Sequence, residues 1–183
     1  YINENTKINP NNPYAVSKAF QDLVSQVYFK CFKLNIIITR MFTYLNARRT
    51  NLFASHWAKQ IVEIERGKKK RLEHGNLDTF RSIIDVRDAM RAYWLVAKHG
   101  KIGEAYNMGG GKNMKLSKFL KILKQKSKVR IRSKINPKLL RKTDIKIQIP
   151  SYKKFKKDTN WEPRISFKDS LEYFLNENRE NTK

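Results

Sequence analysis

The sequence predicts an α/β fold: the last helix–strand unit of a doubly wound parallel sheet, followed by a smaller α/β lobe. Three observations carry this reading. Apolar residues Val16, Phe20, Leu23, Val24, Val27 and Cys31 recur at helical spacing behind Pro13. After Asn35 comes a β-branched run, Ile36-Ile37-Ile38-Thr39-Arg40-Met41-Phe42, of the kind a buried parallel strand uses. From about Leu52 onward, helical stretches alternate with short strand-like runs.

Residues 1–12 read as a polar loop with a turn at Pro10-Asn11-Asn12. Pro13 suits a first helical turn, where its missing N–H costs nothing, so the first helix is placed from about Pro13 to Phe32. Residues 43–51 read as a loop. A second helix runs from about Leu52 to Arg66, with Phe53, Trp57, Ile61 and Ile64 on one side and Gly67 ending it. Lys68 to Arg71 is a basic turn, and Leu72 to Asp78 reads as irregular. Asp85, with Asp88 three residues on, has the look of a capping box opening a helix that Gly100 stops after His99. Tyr93 and Trp94 suit the buried face of that helix.

Ala105 to Met108 reads as a strand running into Gly109-Gly110-Gly111. That triplet lacks the Gly-x-Gly-x-x-Gly pattern of a dinucleotide loop and is given a structural role. A short basic helix follows over about Leu116 to Lys126. Val129 to Arg132 alternates like a half-exposed strand. Ser166, with Asp169 three positions later, caps a last helix over Phe167 to Asn178.

The composition excludes several classes. Apolar residues make up 40% of the 183 residues, enough for a real core. The single Cys31 rules out a disulfide framework and fits a reducing cytoplasm. No apolar run reaches the roughly 18 residues of a membrane span, so no membrane is expected. His56, His74 and His99 show no metal-ligand spacing; they read as surface or loop residues, and no metal is expected. The net charge of +24 raises the rival reading of a basic, non-catalytic binding module. The lysines are distributed over every segment, however, and no nucleic-acid-binding signature accompanies them. The charge favours an anionic small substrate, and no nucleic-acid partner is expected.

The most informative string is Asn12-Pro13-Tyr14-Ala15-Val16-Ser17-Lys18. Tyr14 and Lys18, four apart on a helix, sit one above the other. An ammonium beside a phenol favours the phenolate, which can then exchange a proton with a sugar hydroxyl. This string resembles the start of the catalytic helix of extended short-chain dehydrogenases/reductases.

Further strings narrow the resemblance to the group of GDP-mannose 4,6-dehydratases and GDP-4-dehydro-6-deoxy-mannose reductases. They are Gly75-Asn76-Leu77-Asp78-Thr79-Phe80-Arg81, Asp85-Val86-Arg87-Asp88 with Arg91-Ala92-Tyr93-Trp94, and Gly103-Glu104-Ala105-Tyr106-Asn107-Met108-Gly109. Arg141-Lys142-Thr143-Asp144 and Asn160-Trp161-Glu162-Pro163 complete the set, in family order from Tyr1 to about Leu175.

The resemblance implies that residues 1–51 are the last part of an NADP- or NAD-binding Rossmann domain. Residues 52–183 would be mainly a nucleotide-sugar lobe, with one segment returning to the Rossmann sheet. It makes Tyr14 and Lys18 catalytic and cofactor-side, with Arg40 and Phe42 beside them. Thr43, Phe53, Asn76, Arg81, Arg141 and Asp144 would hold the GDP-sugar, the arginines on phosphate and Asp144 on ribose hydroxyls. The chain departs from the family at Met41-Phe42-Thr43, where Pro-Phe-Asn is usual. It departs again at Ser82, which replaces an Asp, and at Ile149-Pro150-Ser151, which replaces Val-Gly-Asp.

The glycine-rich dinucleotide turn is not found in these residues. The chain is therefore expected to be the C-terminal portion of a longer enzyme, a homodimer or homotetramer when whole. The helix from Pro13 and the strand from Ile36 are both expected to expose their apolar sides. The chemistry implied is C4 oxidation of GDP-mannose, 5,6-dehydration and return of the hydride, with the related reductase as runner-up. Ile84-Asp85-Val86-Arg87-Asp88 leans to the reductase.

Overall fold

A computed structural model describes residues 1–49, 52–140 and 143–182. Helix α1 (Pro13–Phe32) matches the sequence expectation at both ends. The Asn12 side chain accepts from the Ala15 N–H at 2.9 Å, and Lys33 closes the helix at φ 56°. Strand β1 (Ile38–Met41) follows and is shorter than the apolar run suggested.

Strand β2 (Thr43–Leu45) lies where a loop was expected. Helix α2 (Phe53–Glu65), β3 (Leu72–His74), β4 (Phe80–Asp85) and α3 (Val86–His99) come next. After them come β5 (Ala105–Met108), β6 (Lys112–Lys115) and α4 (Leu116–Gln125). The chain finishes with β7 (Ser133–Ile135), β8 (Ile147–Gln148), α5 (Lys153–Thr159) and α6 (Phe167–Asn181).

Among the described residues three small sheets organise these elements. β1 pairs in parallel with β5, with Arg40 opposite Asn107. β4 is the hub of the second sheet. It takes β2 in parallel on its C-terminal half, β8 in parallel on its first residues, and β6 antiparallel on the other edge. β3 and β7 form a parallel pair.

Four expectations are corrected by this pairing. Leu72–His74 is a strand because β7 satisfies its backbone groups, although the sequence carries no alternation there. The β7 strand falls at Ser133–Ile135, not Val129–Arg132, because Ile131 is drawn into the core and Leu72 sets the register opposite Ser133. His74 is buried in β3, with its Nδ1 at 2.9 Å from the Gly75 carbonyl, so it is neither a surface nor a loop residue. Trp94 is 67% exposed, because Ala89, Ala92 and Val96 take the buried face of α3.

The capping box at Asp85 and Asp88 does not close either. Asp85 caps the Arg87 N–H, whereas buried Asp88 accepts from the Arg164 and Ile165 N–H groups and from Arg91. It ties α3 to the segment before α6. Ser166 does cap α6, accepting from the Asp169 N–H.

Two apolar cores result. One joins α2, α4 and α6 through Trp57, Ile61, Phe119, Leu123, Leu171 and Phe174. The other sits between the β1–β5 pair and α3 and α5, built from Ile84, Val96, Tyr106, Met108, Phe155 and Trp161. Helix α1 belongs to neither. Asp22 is its one buried residue, while Val16, Phe20, Leu23 and Val27 face outward, as the sequence led us to expect. The strand from Ile36 departs from that expectation: Ile38 is buried and Ile37 and Met41 pack against the second core, because β5 pairs with β1 and supplies its sheet neighbour.

Candidate active site

Tyr14 stands in the first turn of α1 and is 67% exposed. Lys18 lies one turn further on the same side, its Nζ donating to Gln21 Oε1 at 2.8 Å. One more turn brings Asp22, the single acidic residue of α1. Arg40 of β1 grips its carboxylate through Nε at 2.6 Å and Nη2 at 3.0 Å, and Gln26 donates to it at 2.8 Å. Burial alone would push the Asp22 carboxyl up, but the hydrogen bonds and the Arg40 charge outweigh it and hold it below the usual range. The same bond raises Arg40.

The third donor of Arg40 goes to the Glu4 carbonyl at 2.8 Å. Glu4 Oε1 in turn accepts from the Asn107 N–H, and the Asn107 side chain donates to the Ile2 carbonyl. This network fixes the height of α1 against β1. Tyr14 lies eight residues before Asp22, so it stands about 12 Å further along the helix axis. That carries it past the C-terminal end of β1, the side on which parallel sheets bind ligands.

Arg40, counted among the cofactor-side residues, is thus committed to bracing α1. Asp22 and Asn107 went unnoticed in the sequence. A lone carboxylate in a 20-residue helix, and an arginine inside a β-branched run, were the available signals. Phe42 donates its N–H to the Met108 carbonyl and its side chain closes over Gly109, where an added Cβ would come within 3.2 Å. A side chain at Gly110 would strike the Tyr152 ring, so the glycines serve packing, as expected.

A second group forms around the start of β4. Asn76 donates to Asp144 Oδ2 at 3.1 Å and accepts from the Asp78 N–H at 2.8 Å. Asp78 is ion-paired with Lys115, and the bond lowers its pKa. Arg81 Nη1 donates to the carbonyls of Phe80 and Ile145 at 2.8 and 2.9 Å. The segment leading from Asp144 is thereby laid along β4, where β8 continues it. Asn76, Arg81 and Asp144 are brought together; Arg141 lies outside the described residues.

Ser82, in the place of the family's Asp, is buried and accepts from the Gly110 N–H at 3.2 Å. Phe53 opens α2 but packs edge-on against Trp57 and Phe119, with ring centroids at 5.2 and 5.8 Å. Its ring is a partly buried member of the core.

The β2–β4 register connects the two groups. Thr43 pairs with Ile83, which shares a strand face with Arg81 two residues earlier. The Tyr14 end and the Asn76–Arg81–Asp144 end therefore hang on one run of chain, β1 to β2, and its neighbour β4. Among the described residues no group of three His, Cys, Asp or Glu side chains could hold a metal ion.

The family model described as GDP-mannose 4,6 dehydratase matches residues 1–174. A GDP-6-deoxy-D-mannose reductase of Pseudomonas aeruginosa is 27% identical over 178 residues, which is 96% of this chain and 59% of that protein. A UDP-glucuronate 4-epimerase of Thermodesulfobacterium geofontis is 30% identical over 185 residues, 98% of this chain and 54% of its own length. The structure of the Pseudomonas aeruginosa protein RMD complexed with NADPH superposes with a TM-score of 0.87 at 25% identity, over 97% of this chain and 59% of that one. A dTDP-glucose 4,6-dehydratase from Bacillus anthracis, in complex with NAD, gives 0.79 at 25% identity, over 97% and 55%. The chain spans little more than half the length of these relatives.

Proposed function

Because the chain belongs to the GDP-mannose 4,6-dehydratase family of extended short-chain dehydrogenases/reductases, we propose that it acts on a GDP-linked hexose at C4. The family embraces nucleotide-sugar dehydratases, epimerases and reductases that use NAD or NADP. The observation that carries our reading is the Asn76–Asp144 hydrogen bond, with Arg81 anchored beside it on the Ile145 carbonyl. The exposed Tyr14–Lys18 helix start, braced to β1 through Asp22 and Arg40, supports it.

In this reading Tyr14 takes the proton of the C4 hydroxyl as base, with Lys18, one turn along the same side, holding a ribose hydroxyl. Tyr14 and Lys18 would hold the nicotinamide end of NAD or NADP, which when bound would accept the C4 hydride and give it back at C6. Between those events C5 would lose its proton and C6 its hydroxyl as water, and C5 would regain a proton as C6 receives the hydride. Arg81, with Arg141, is assigned to the diphosphate, and Asp144 to the nucleotide ribose. Thr43 lies towards the sugar, and Phe42 beside the nicotinamide. Arg40 and Phe53 act through packing, the first by fixing α1 and the second by holding the start of α2 against Trp57 and Phe119.

We assign residues 1–51, with β5, α3 and α5, to the dinucleotide-binding sheet, and the core of α2, α4 and α6 to the sugar-nucleotide lobe. The chain's residues fit the nicotinamide end of such a cofactor, since Tyr14 and Lys18 stand open beyond the parallel pair. A second reading, reduction of a 4-keto GDP-sugar with Tyr14 as acid, is favoured by the similarity to the Pseudomonas aeruginosa reductase across 96% of this chain.

The test is to supply a relative's dinucleotide-binding half and offer GDP-mannose with NAD or NADP, then the 4-keto sugar with NADPH. A 4-keto product from the first supports dehydration. A deoxy-hexose from the second supports reduction. GDP failing to bind would overturn both.

A further inference from the structure

The lysines are spread over the whole sequence, but their compensating carboxylates are not. From Ala105 to Thr143 there are thirteen Lys and Arg and no Asp or Glu. Thirteen positive charges therefore fall in 39 residues, more than half of the net +24.

The structure gathers much of this charge on one surface. Leu116, Phe119, Leu120 and Leu123 bury one side of α4, which turns Lys118, Lys121 and Gln125 outward. Between α4 and β7 runs an open groove of about 410 Å³ with Leu77, Leu120 and Ile131 on its floor and Lys121, Lys124 and Arg130 on its walls. Ser133 lines it too, and accepts from Lys124 Nζ at 3.1 Å. Only Lys115, Lys126 and Lys134 of this segment have an ion-pair partner among the described residues, on Asp78, Glu172 and Glu73. Lys118, Lys121, Arg130, Arg132 and Lys138 have none.

Aliphatic side chains stand among these cations. Ile135 is 60% exposed and shares a strand face with Ser133, so it flanks the groove. Leu140 is 50% exposed, and Val129 and Leu139 are exposed as well. The two aromatic residues of the segment, Tyr106 and Phe119, are fully buried. The segment itself therefore offers single-stranded nucleic acid no ring to stack on. Cations interleaved with exposed Ile, Leu and Val instead match a leaflet of anionic phospholipid. Headgroups neutralise the charge there, and aliphatic tips enter the headgroup boundary.

The geometry points to the α4–β7 face as a peripheral docking surface for an anionic membrane leaflet. This is association from one side: among the described residues no helix is long and apolar enough to cross a membrane. It is independent of the chemistry assigned to Tyr14.

The experiment is flotation of the 183-residue chain with phosphatidylcholine vesicles, with and without phosphatidylserine; aggregated protein does not float. The chain is expected to rise only with phosphatidylserine present, and to be released by salt. Lys118→Glu, Lys121→Glu and Arg130→Glu together should weaken binding by roughly tenfold or more. The same charge change at Lys98, Lys153 and Lys157, on α3 and α5, should leave most of it. Ile135→Ser with Leu140→Ser should weaken binding at unchanged charge. Equal loss in the two triple variants would reduce the effect to bulk charge and overturn the proposal. So would equal flotation with neutral vesicles, or removal from the vesicles by a stoichiometric short RNA.

Discussion

Asn76 donates its side-chain amide to Asp144 across 68 residues of chain, and the bond joins two positions that the family resemblance assigns to the same nucleotide. The amide oxygen of Asn76 is spent on the Asp78 N–H, so the side chain is fixed at both ends. Asp144 is thereby held with its second carboxylate oxygen available to vicinal hydroxyls. Asp144→Ala should weaken GDP binding by about 1.5 to 3 kcal/mol, the size of a hydrogen bond to a charged group. Asn76→Ala should cost less, because the carboxylate remains. Calorimetry with GDP reads both, and equal affinity in all three proteins would remove the pair from the site.

Arg81→Ala is expected to weaken GDP by a similar amount, about 1.5 to 3 kcal/mol, while guanosine affinity changes little. The contrast separates a phosphate contact from a loosening of the segment that Arg81 holds through Ile145. A matching loss for guanosine would point to the second effect alone. The same comparison applies to Arg141→Ala.

Tyr14→Phe, in the chain supplied with a dinucleotide-binding half, should cut turnover by about 10²- to 10⁴-fold, the range of a general acid/base. GDP-sugar affinity should be almost unchanged, since Tyr14 lies apart from the Asn76 group. Near-normal turnover in the variant would sink the assignment.

Asp22→Asn should destabilise the chain by about 3 kcal/mol at neutral pH, because Arg40 would keep its partly buried charge without an anion. The Asp22 carboxyl is held below its ordinary value of 3.8. The stability it contributes is therefore complete above that value and is lost as pH falls through the lower folded one. Urea titrations of both proteins should converge on acidification. Parallel curves throughout would show that charge is not what Asp22 supplies.

These 183 residues by themselves should bind NAD or NADP weakly and turn over no sugar. Pyrophosphates in such folds sit on a glycine-rich turn at a helix N-terminus, and no turn of that pattern occurs in this sequence. Phe20→Ser with Val27→Ser, on the outward face of α1, should reduce self-association and leave the melting temperature nearly unchanged. Tight cofactor binding by the unaided chain would refute the half-site reading.

Most helices were legible in the sequence because their determinants are local. Pro13 behind Asn12, Gly67 and Gly100 as stops, and Ser166 with Asp169 place four helix ends within a residue or two. The short helix α5, Lys153–Thr159, escaped notice because it holds only Phe155 and Thr159 inward and has no side-chain cap. The strands were less legible for a physical reason. Lys112-Asn113-Met114-Lys115 has no alternation worth the name, and is a strand only because β4 runs antiparallel beside it.

By itself the sequence determined the α/β class, the α1 register that stacks Tyr14 over Lys18, and the family. Each depends on spacings of a few residues or on an ordered set of short strings. The tertiary structure decided what those residues do with their polar atoms. Arg40 is turned to Asp22 and the Glu4 carbonyl, His74 is buried in β3, and Asp88 leaves its helix cap to receive two distant backbone N–H groups. A buried donor or acceptor must find its partner wherever the fold brings one, and no local pattern in the chain records which partner that will be.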